Sequence, residues 1–172
     1  LAAGVSAPQI TVTVAAAAPL PLAATTALAA SDDWKIGGTA YGTLQDAVND
    51  VQDGQTIVMQ RDVVVTPENN SSGIRLNANK TYTLDFGGYT LSNSGFTTYL
   101  LFFQTGTVTL QNGSVTAGDN ALLLNGAATV NILSGNYTAK NDAIYSNGMV
   151  VITEGHFVET QSGGDGALNG SI

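Results

Sequence analysis

Apolar and polar residues alternate in short runs through the second half of the chain. Val108-Thr109-Leu110 and Val130-Asn131-Ile132 are two such runs. A period of two is typical of β-strands, because successive side chains point to opposite faces of a sheet. Glycine and asparagine interrupt the runs, and both tolerate the positive φ angles of tight turns. The pattern therefore predicts many short strands joined by corners.

The runs also repeat along the chain. Four glycines each have an apolar residue three positions before them, Tyr or Val five before, and an aromatic residue or Val two after. The glycines are Gly87, Gly113, Gly135 and Gly155, and the three flanking sets are Leu84, Leu110, Ile132 and Ile152, then Tyr82, Val108, Val130 and Val150, then Tyr89, Val115, Tyr137 and Phe157. In a second register, Asn125, Asn147 and Asn169 each precede a glycine and recur every 22 residues. Such a period is typical of stacked coils.

The repeat predicts an all-β fold, a parallel β-helix (β-solenoid) in which each rung buries its apolar face against the next rung. We expect the set containing Leu84 to form an inner aliphatic column and the set containing Tyr89 to form an aromatic-rich column. The three asparagines would form amide ladders along the turns. A β-sandwich with similar hairpins is the alternative, but sandwich strands do not need the same residue types at one fixed period.

Residues 43–52 carry a helical pattern. Thr43 can cap this helix, Asp46 lies in the first turn, where negative charge is favourable, and Asp53-Gly54 ends it. Its apolar residues fall at helical spacing and are Leu44, Ala47, Val48 and Val51. We expect this short helix to cover the N-terminal mouth of a β-helix domain at residues 32–172, with Trp34 and Ile36 beside it.

Residues 1–31 contain no charged residue and form a second region, an extended N-terminal arm. Residues 10–14 alternate as a strand does. Ala27-Leu28-Ala29-Ala30 resembles a signal-peptide cleavage site, so the arm could be a processed leader, although the basic segment of a signal peptide is missing. The arm could otherwise fold back on its own β-helix or add a strand to a neighbouring subunit.

Residues 167–172 begin a further unit in register with residues 143–148. Either the chain is part of a longer protein, or another molecule covers this last rung. The second alternative, taken with the uncharged arm, predicts a head-to-tail homopolymer joined by strand complementation. Such a contact is asymmetric and propagates into a filament.

Composition narrows the choice of partners. The 172 residues include 5 Lys and Arg against 13 Asp and Glu, a net charge of −8, which argues against nucleic acid and anionic membrane surfaces. The chain has no cysteine, which excludes disulfides and thiolate metal sites. The sequence lacks the 18 or more uninterrupted apolar residues that indicate a membrane span, so we expect no membrane insertion.

Three stretches extend the interpretation. They are Thr43-Leu44-Gln45-Asp46-Ala47-Val48, Asp53-Gly54-Gln55-Thr56-Ile57, and Thr83-Leu84-Asp85-Phe86-Gly87-Gly88-Tyr89-Thr90-Leu91. Together they resemble the opening of right-handed parallel β-helix repeat domains, pectate-lyase-like in fold, from surface proteins of Gram-positive bacteria. The resemblance covers residues 40–172 and implies an extracellular location, at the cell surface or in a secreted filament. It implies no activity, because such domains serve mostly as spacers, stalks and adhesive surfaces.

Many β-helix proteins cleave acidic polysaccharides with calcium-binding carboxylates and a basic residue, or with clustered aspartates. The basic residues available here are Arg61, Arg75, Lys80 and Lys140. Asp32-Asp33 lies outside the repeat, and His156 has no carboxylate-rich partner nearby in sequence. We therefore predict a structural protein that is not an enzyme, with no catalytic residues and no cofactor. A fragment of a polysaccharide-degrading enzyme remains an alternative.

Asp119, Asp142 and Asp165 each lie shortly before the Ala that opens a unit, with Asn120 and Asn141 beside them. Stacked in a column, these oxygen-bearing side chains could bind calcium. They could instead supply turn hydrogen bonds, which is the interpretation that we favour. We therefore assign no metal ligands. A glycan- or host-binding adhesin is a further alternative and requires exposed aromatic residues on one face, such as Phe96, Tyr99 and Tyr145.

Overall fold

A computed structural model describes residues 32–66, 73–93, 98–162 and 166–170. Within these residues the chain is a β-solenoid of parallel stacked coils, as the repeat predicts. The strands are β1 (Trp34–Ile36), β2 (Thr39–Tyr41), β3 (Thr56–Met59), β4 (Val63–Val65), β5 (Ile74–Leu76), β6 (Thr81–Asp85), β7 (Thr90–Asn93), β8 (Tyr99–Phe103), β9 (Gly106–Gln111), β10 (Ser114–Ala117), β11 (Asn120–Leu124), β12 (Ala128–Ile132), β13 (Asn136–Ala139), β14 (Ile144–Ser146), β15 (Met149–Ile152), β16 (His156–Glu159) and β17 (Leu168–Gly170). The helix α1 (Leu44–Asp50) lies between β2 and β3.

Three sheets form the walls of the solenoid. Sheet A has the order β15-β12-β9-β6-β3-β1-β2, sheet B the order β16-β13-β10-β7-β4, and sheet C the order β17-β14-β11-β8-β5. Each rung therefore gives one strand to each sheet, from the first rung (β3, β4 and β5) to the fifth (β15, β16 and β17). Pairing between rungs is parallel, whereas β1 pairs antiparallel with both β3 and β2.

The predicted aliphatic column is confirmed. Leu84 pairs with Leu110, Leu110 with Ile132, and Ile132 with Ile152, and Ile57 of the first rung extends the column. The set that begins at Tyr82 stacks in the same sheet two residues earlier. The members of both columns are fully buried except in the fifth rung, where they are half-buried. Stacking identical positions thus buries apolar area that no single rung could bury alone.

The aromatic-rich column was predicted wrongly at Tyr89. Leu91, and not Tyr89, pairs with Val115, and the column then continues through Tyr137 and Phe157. Four residues separate β6 from β7, but two separate β9 from β10. The longer corner includes Gly87 and Gly88, at φ 61° and 86°, and it leaves Tyr89 exposed.

The predicted amide ladder is also wrong. Asn169 pairs with Tyr145 and not with Asn147, because 24 residues separate β14 from β17 at that position and 22 separate Leu123 from Tyr145. In the rung before, the Asn125 side-chain oxygen accepts a hydrogen bond of 2.8 Å from the Gly126 N–H. This amide closes its own turn instead of bridging two rungs.

The predicted helix is confirmed at Leu44–Asp50. The Thr43 hydroxyl oxygen accepts a 3.1 Å hydrogen bond from the Asp46 N–H, which caps the helix, and Asp46 lies in its first turn. The four apolar residues of the pattern are all buried. Trp34 is buried in the same cluster, and α1 lies against β1 and β5. The helix therefore covers the apolar interior at the N-terminal end.

Candidate functional site

The three sheets end differently at the N-terminal face. In sheet A, β1 and β2 continue beyond β3. In sheet C, α1 lies beside β5, and the Gln45 side-chain oxygen accepts a 3.3 Å hydrogen bond from the Arg75 N–H. In sheet B, the first-rung strand β4 has one sheet neighbour among the described residues, the strand β7. The outer edge of β4 is thus the first-rung edge that neither a described strand nor the helix covers.

An apolar groove runs along that edge. It has a volume of about 210 Å³ and lies between β4, α1 and β1. Its apolar lining consists of Trp34, Leu44, Val63, Val65 and Ile74. Val64 also borders the groove, and 62% of its surface is exposed. An apolar groove beside an unpaired strand edge is a typical place for an added strand to bind.

Asp33 fixes the chain beside this groove. The Gln60 N–H donates a 2.9 Å hydrogen bond to the Asp33 carbonyl oxygen, and the Arg61 guanidinium forms an ion pair with the Asp33 carboxylate. Asp62 then positions β4, because its carboxylate accepts a 2.7 Å hydrogen bond from the Thr90 N–H. The residue that follows the uncharged arm, after Asp32, is therefore held at the start of β4.

The fifth rung is much less protected than the rungs before it. Its strands pair with β12, β13 and β14 on one side, and the described residues place no strand on the other side. Met149 is 62% exposed and Val151 48%, and Leu168 is also exposed. The Phe157 ring stacks on Tyr137 at a centroid distance of 5.2 Å. Phe157 nevertheless stays half-buried, whereas Tyr137 is buried.

The Asp and Asn residues proposed as calcium ligands occupy the corner between sheets B and C. The Asn141 amide donates a hydrogen bond to the Asp119 carboxylate, and the Asp142 N–H donates one of 3.0 Å to the Asn120 side-chain oxygen. Burial raises the pKa of Asp119, against the opposing effects of Lys140 and of the Asn141 hydrogen bond. These bonds support the turn interpretation for four of the five residues; Asp165 lies outside the described residues.

The residues considered for catalysis lie apart. Arg61, Arg75 and Lys80 belong to the N-terminal end, and the Lys80 ammonium donates a 2.6 Å hydrogen bond to the Val51 carbonyl oxygen. Lys140 lies at the corner just described, and exposed His156 begins β16 in the fifth rung, where it pairs with Asn136. Among the described residues, no group of three or more His, Asp or Glu side chains could hold a metal ion.

An outward stripe on sheet C brings together aromatic and apolar residues. Phe102, Leu123 and Tyr145 occupy equivalent positions in β8, β11 and β14, and all three are half-buried. The Tyr99 ring lies 4.9 Å from the Phe102 ring. The sequence pointed to Tyr99 and Tyr145 but missed Phe102 and Leu123. Phe96, the third aromatic residue considered, lies outside the described residues.

The stripe could have been found by aligning the residue that follows the inner apolar pair of each rung. Leu123 follows Ala121-Leu122 and Tyr145 follows Ala143-Ile144, both in the register of the Asn-Gly repeat. A position one residue after a buried residue faces outward.

The chain has no match among protein-family models, curated proteins or solved structures. No described helix is both long and apolar enough to cross a membrane. The arguments that follow therefore depend on the ends and faces of the solenoid itself.

Proposed function

We propose that this protein is an extracellular structural subunit without enzymatic activity, which assembles head-to-tail into a surface fibre or pilus-like filament. The observation that carries the proposal is the unequal protection of the two ends. The N-terminal end is covered by a helix and an antiparallel hairpin, whereas the fifth rung has unpaired strand edges and exposed apolar side chains. Two unlike ends favour an asymmetric contact, which propagates rather than closes.

The contact that we propose is strand complementation. An added strand would pair with the free edge of the fifth rung and cover residues such as Met149 and Val151. Residues 10–14 of a neighbouring subunit supply that strand in our proposal, because they alternate in the β pattern and carry no charge that would have to be desolvated. Further copies of the chain are therefore the main partner.

Deletion of residues 1–27 tests this assembly. The deletion leaves the described solenoid and residues 28–31 in place. We expect negative-stain electron microscopy to show filaments of the full chain and dispersed monomers of the truncated chain. Filaments formed by the truncated chain would refute the role of the arm. A native subunit with an intact mass far above 17.6 kDa would instead indicate that further chain covers the fifth rung.

The extracellular location and the lack of catalysis are supported separately. Only 10% of the residues are charged, and the sequence resembles Gram-positive surface β-helix domains, whose right-handed, pectate-lyase-like coil we also propose here. The candidate catalytic side chains lie at opposite ends of the solenoid and do not form one cluster. This separation favours a structural role.

A glycan- or host-binding adhesin is the second candidate, and the outward stripe on sheet C favours it. Aromatic faces pack against the apolar faces of sugar rings, and Tyr145 offers a hydroxyl beside such a face. Tyr145→Ala would then abolish retention on a panel of immobilised oligosaccharides. Thr116→Ala, an exposed position on sheet B, is the matched control and would leave retention unchanged. No retention of the full chain on any oligosaccharide would rule out this role.

A further inference from the structure

We propose that residues 28–31 form a short antiparallel strand along the free edge of β4 in the same subunit, with the Leu28 side chain filling the apolar groove. This inference concerns the base of the arm and holds whether or not filaments form. It leaves residues 10–14 available to a neighbouring subunit.

The register of β1 carries the argument. Ile36 pairs with Ile57 and Trp34 with Met59, so each step back along β1 matches one step forward along β3. The hydrogen bond from Gln60 to the Asp33 carbonyl oxygen extends this pairing one residue beyond β1. Continued around the corner beside Asp62, the same register places Ala30 opposite Val63 and Leu28 opposite Val65.

The faces of β4 agree with this register. Val63 and Val65 are half-buried against the core cluster, while Val64 is mostly exposed. Residues opposite each other in an antiparallel pair share a face, so Leu28 would point inward and Ala29 outward. Leu28 is the one large apolar residue of residues 28–31, and it would meet the groove lined by Leu44 and Ile74.

The occupant belongs to the same chain because of where the arm begins. Asp33 is already held at the start of β4, and residues 28–31 lie immediately before Asp32, so no linker has to be spanned. Such a neighbour has a far higher effective concentration than a strand from another molecule. The segment is also uncharged, and it would pair backbone groups of β4 that the described residues leave at a sheet edge.

Engineered cysteines test the register directly, because the chain has no cysteine of its own. Ala30→Cys with Val63→Cys joins residues that the register places opposite each other, within disulfide reach. The matched control, Ala29→Cys with Val63→Cys, places the two thiols on opposite faces. At high dilution, we expect oxidation to give an intramolecular disulfide in the first pair and at least tenfold less in the control.

The other outcomes contradict the proposal. Equal cross-linking in both pairs, or none in either, would refute the register. A disulfide between two molecules would show that the strand comes from a neighbour. A second measurement, hydrogen exchange of the β4 amides, does not depend on cysteine. Exchange should stay slow after deletion of residues 1–27 and become at least tenfold faster after deletion of residues 1–31, whereas equal rates would refute the proposal.

A charge test covers the side-chain part of the inference. Leu28→Asp would place a carboxylate in the groove and should lower the melting temperature by several degrees. Ala29→Asp adds the same charge one residue away, on the outward side, and should leave the melting temperature within about one degree. Equal effects would refute the placement of Leu28. The two deletions separate this proposal from the filament proposal, because loss of residues 1–27 should abolish filaments without exposing β4.

Discussion

The first and fifth rungs are built from the same three-strand unit, yet their interiors are protected very differently. Ile57 and Ile152 occupy one column in sheet A, but Ile57 is fully buried and Ile152 is half-buried. The helix and the β1–β2 hairpin cover the first rung, whereas the described residues place nothing beyond the fifth. Position in the repeat therefore fixes which residues face inward, while the neighbours of a rung decide how much stability that position contributes.

Trp34→Ala should give the largest effect on this comparison. Trp34 is buried between the hairpin and the core, so its truncation should lower the free energy of unfolding by about 3 to 5 kcal/mol. Met149→Ala in the fifth rung should cost less than about 0.5 kcal/mol, because Met149 is mostly exposed. Chemical denaturation of the dilute monomer measures both values. Similar losses for the two variants would contradict the unequal protection of the ends.

Alanine in the shared aliphatic column gives the closest match between the ends. Ile57→Ala should cost roughly 2 to 5 kcal/mol, and Ile152→Ala only about 1 kcal/mol in the monomer. If filaments form, Ile152→Ala should also weaken assembly, which can be measured as a higher critical concentration by light scattering. Ile57→Ala is the control, since its side chain is already covered within one subunit. A larger loss of monomer stability at Ile152 would overturn the comparison.

Thr43→Ala tests how strongly the helix contributes to the N-terminal end. Loss of the hydroxyl removes the bond to the Asp46 N–H and should lower the free energy of unfolding by about 1 kcal/mol. Thr43→Ser keeps the hydroxyl and should stay close to the full chain. Unfolding measured by circular dichroism distinguishes them, and a Ser variant as unstable as the Ala variant would argue against capping.

Two buried tyrosines offer a smaller test. The Tyr137 hydroxyl donates a 3.2 Å hydrogen bond to the Ser134 carbonyl oxygen, whereas the Tyr82 hydroxyl is buried without a partner among the described residues. Tyr137→Phe should therefore cost about 1 kcal/mol, and Tyr82→Phe should be neutral or stabilising by up to about 1 kcal/mol. Thermal unfolding of the two variants side by side measures the difference. A clear loss of stability in Tyr82→Phe would indicate an unseen partner for that hydroxyl.

The corner between sheets B and C should give no effect of metal removal. Its Asp and Asn side chains bond to one another and to the backbone, so a chelator should leave the melting temperature unchanged. Asp142→Ala serves as the control variant. Calcium-dependent stabilisation of the full chain that disappears in Asp142→Ala would support an ion at this corner after all.

The sequence predicted the inner columns because most rungs repeat with almost the same length and residue types. It failed at Tyr89 and Asn169, where two additional residues displace the chain, since glycine spacing alone does not show how many residues a corner takes up. It also missed the β1–β2 hairpin, although Gly37-Gly38 between two short apolar runs is a hairpin signal, and Gly37 has φ 57°.

The groove beside β4 could not have been predicted without that hairpin. Its walls come from segments far apart in sequence, such as Trp34 and Ile74, and its position depends on the antiparallel pairing of β1 with β3. Repeat patterns describe contacts between equivalent positions of successive rungs. A cap breaks the repeat, so its contacts follow no period.

The cap at the N-terminal end also has a consequence for the order of folding. Each rung contacts mainly the rungs before and after it, and partner strands lie only 20 to 28 residues apart in sequence. The capped end leaves the ribosome first, so it can serve as a nucleus onto which later rungs are added as they are synthesised. Under mechanical load the order reverses, and the molecule should lose its fifth rung first and extend in steps of one rung.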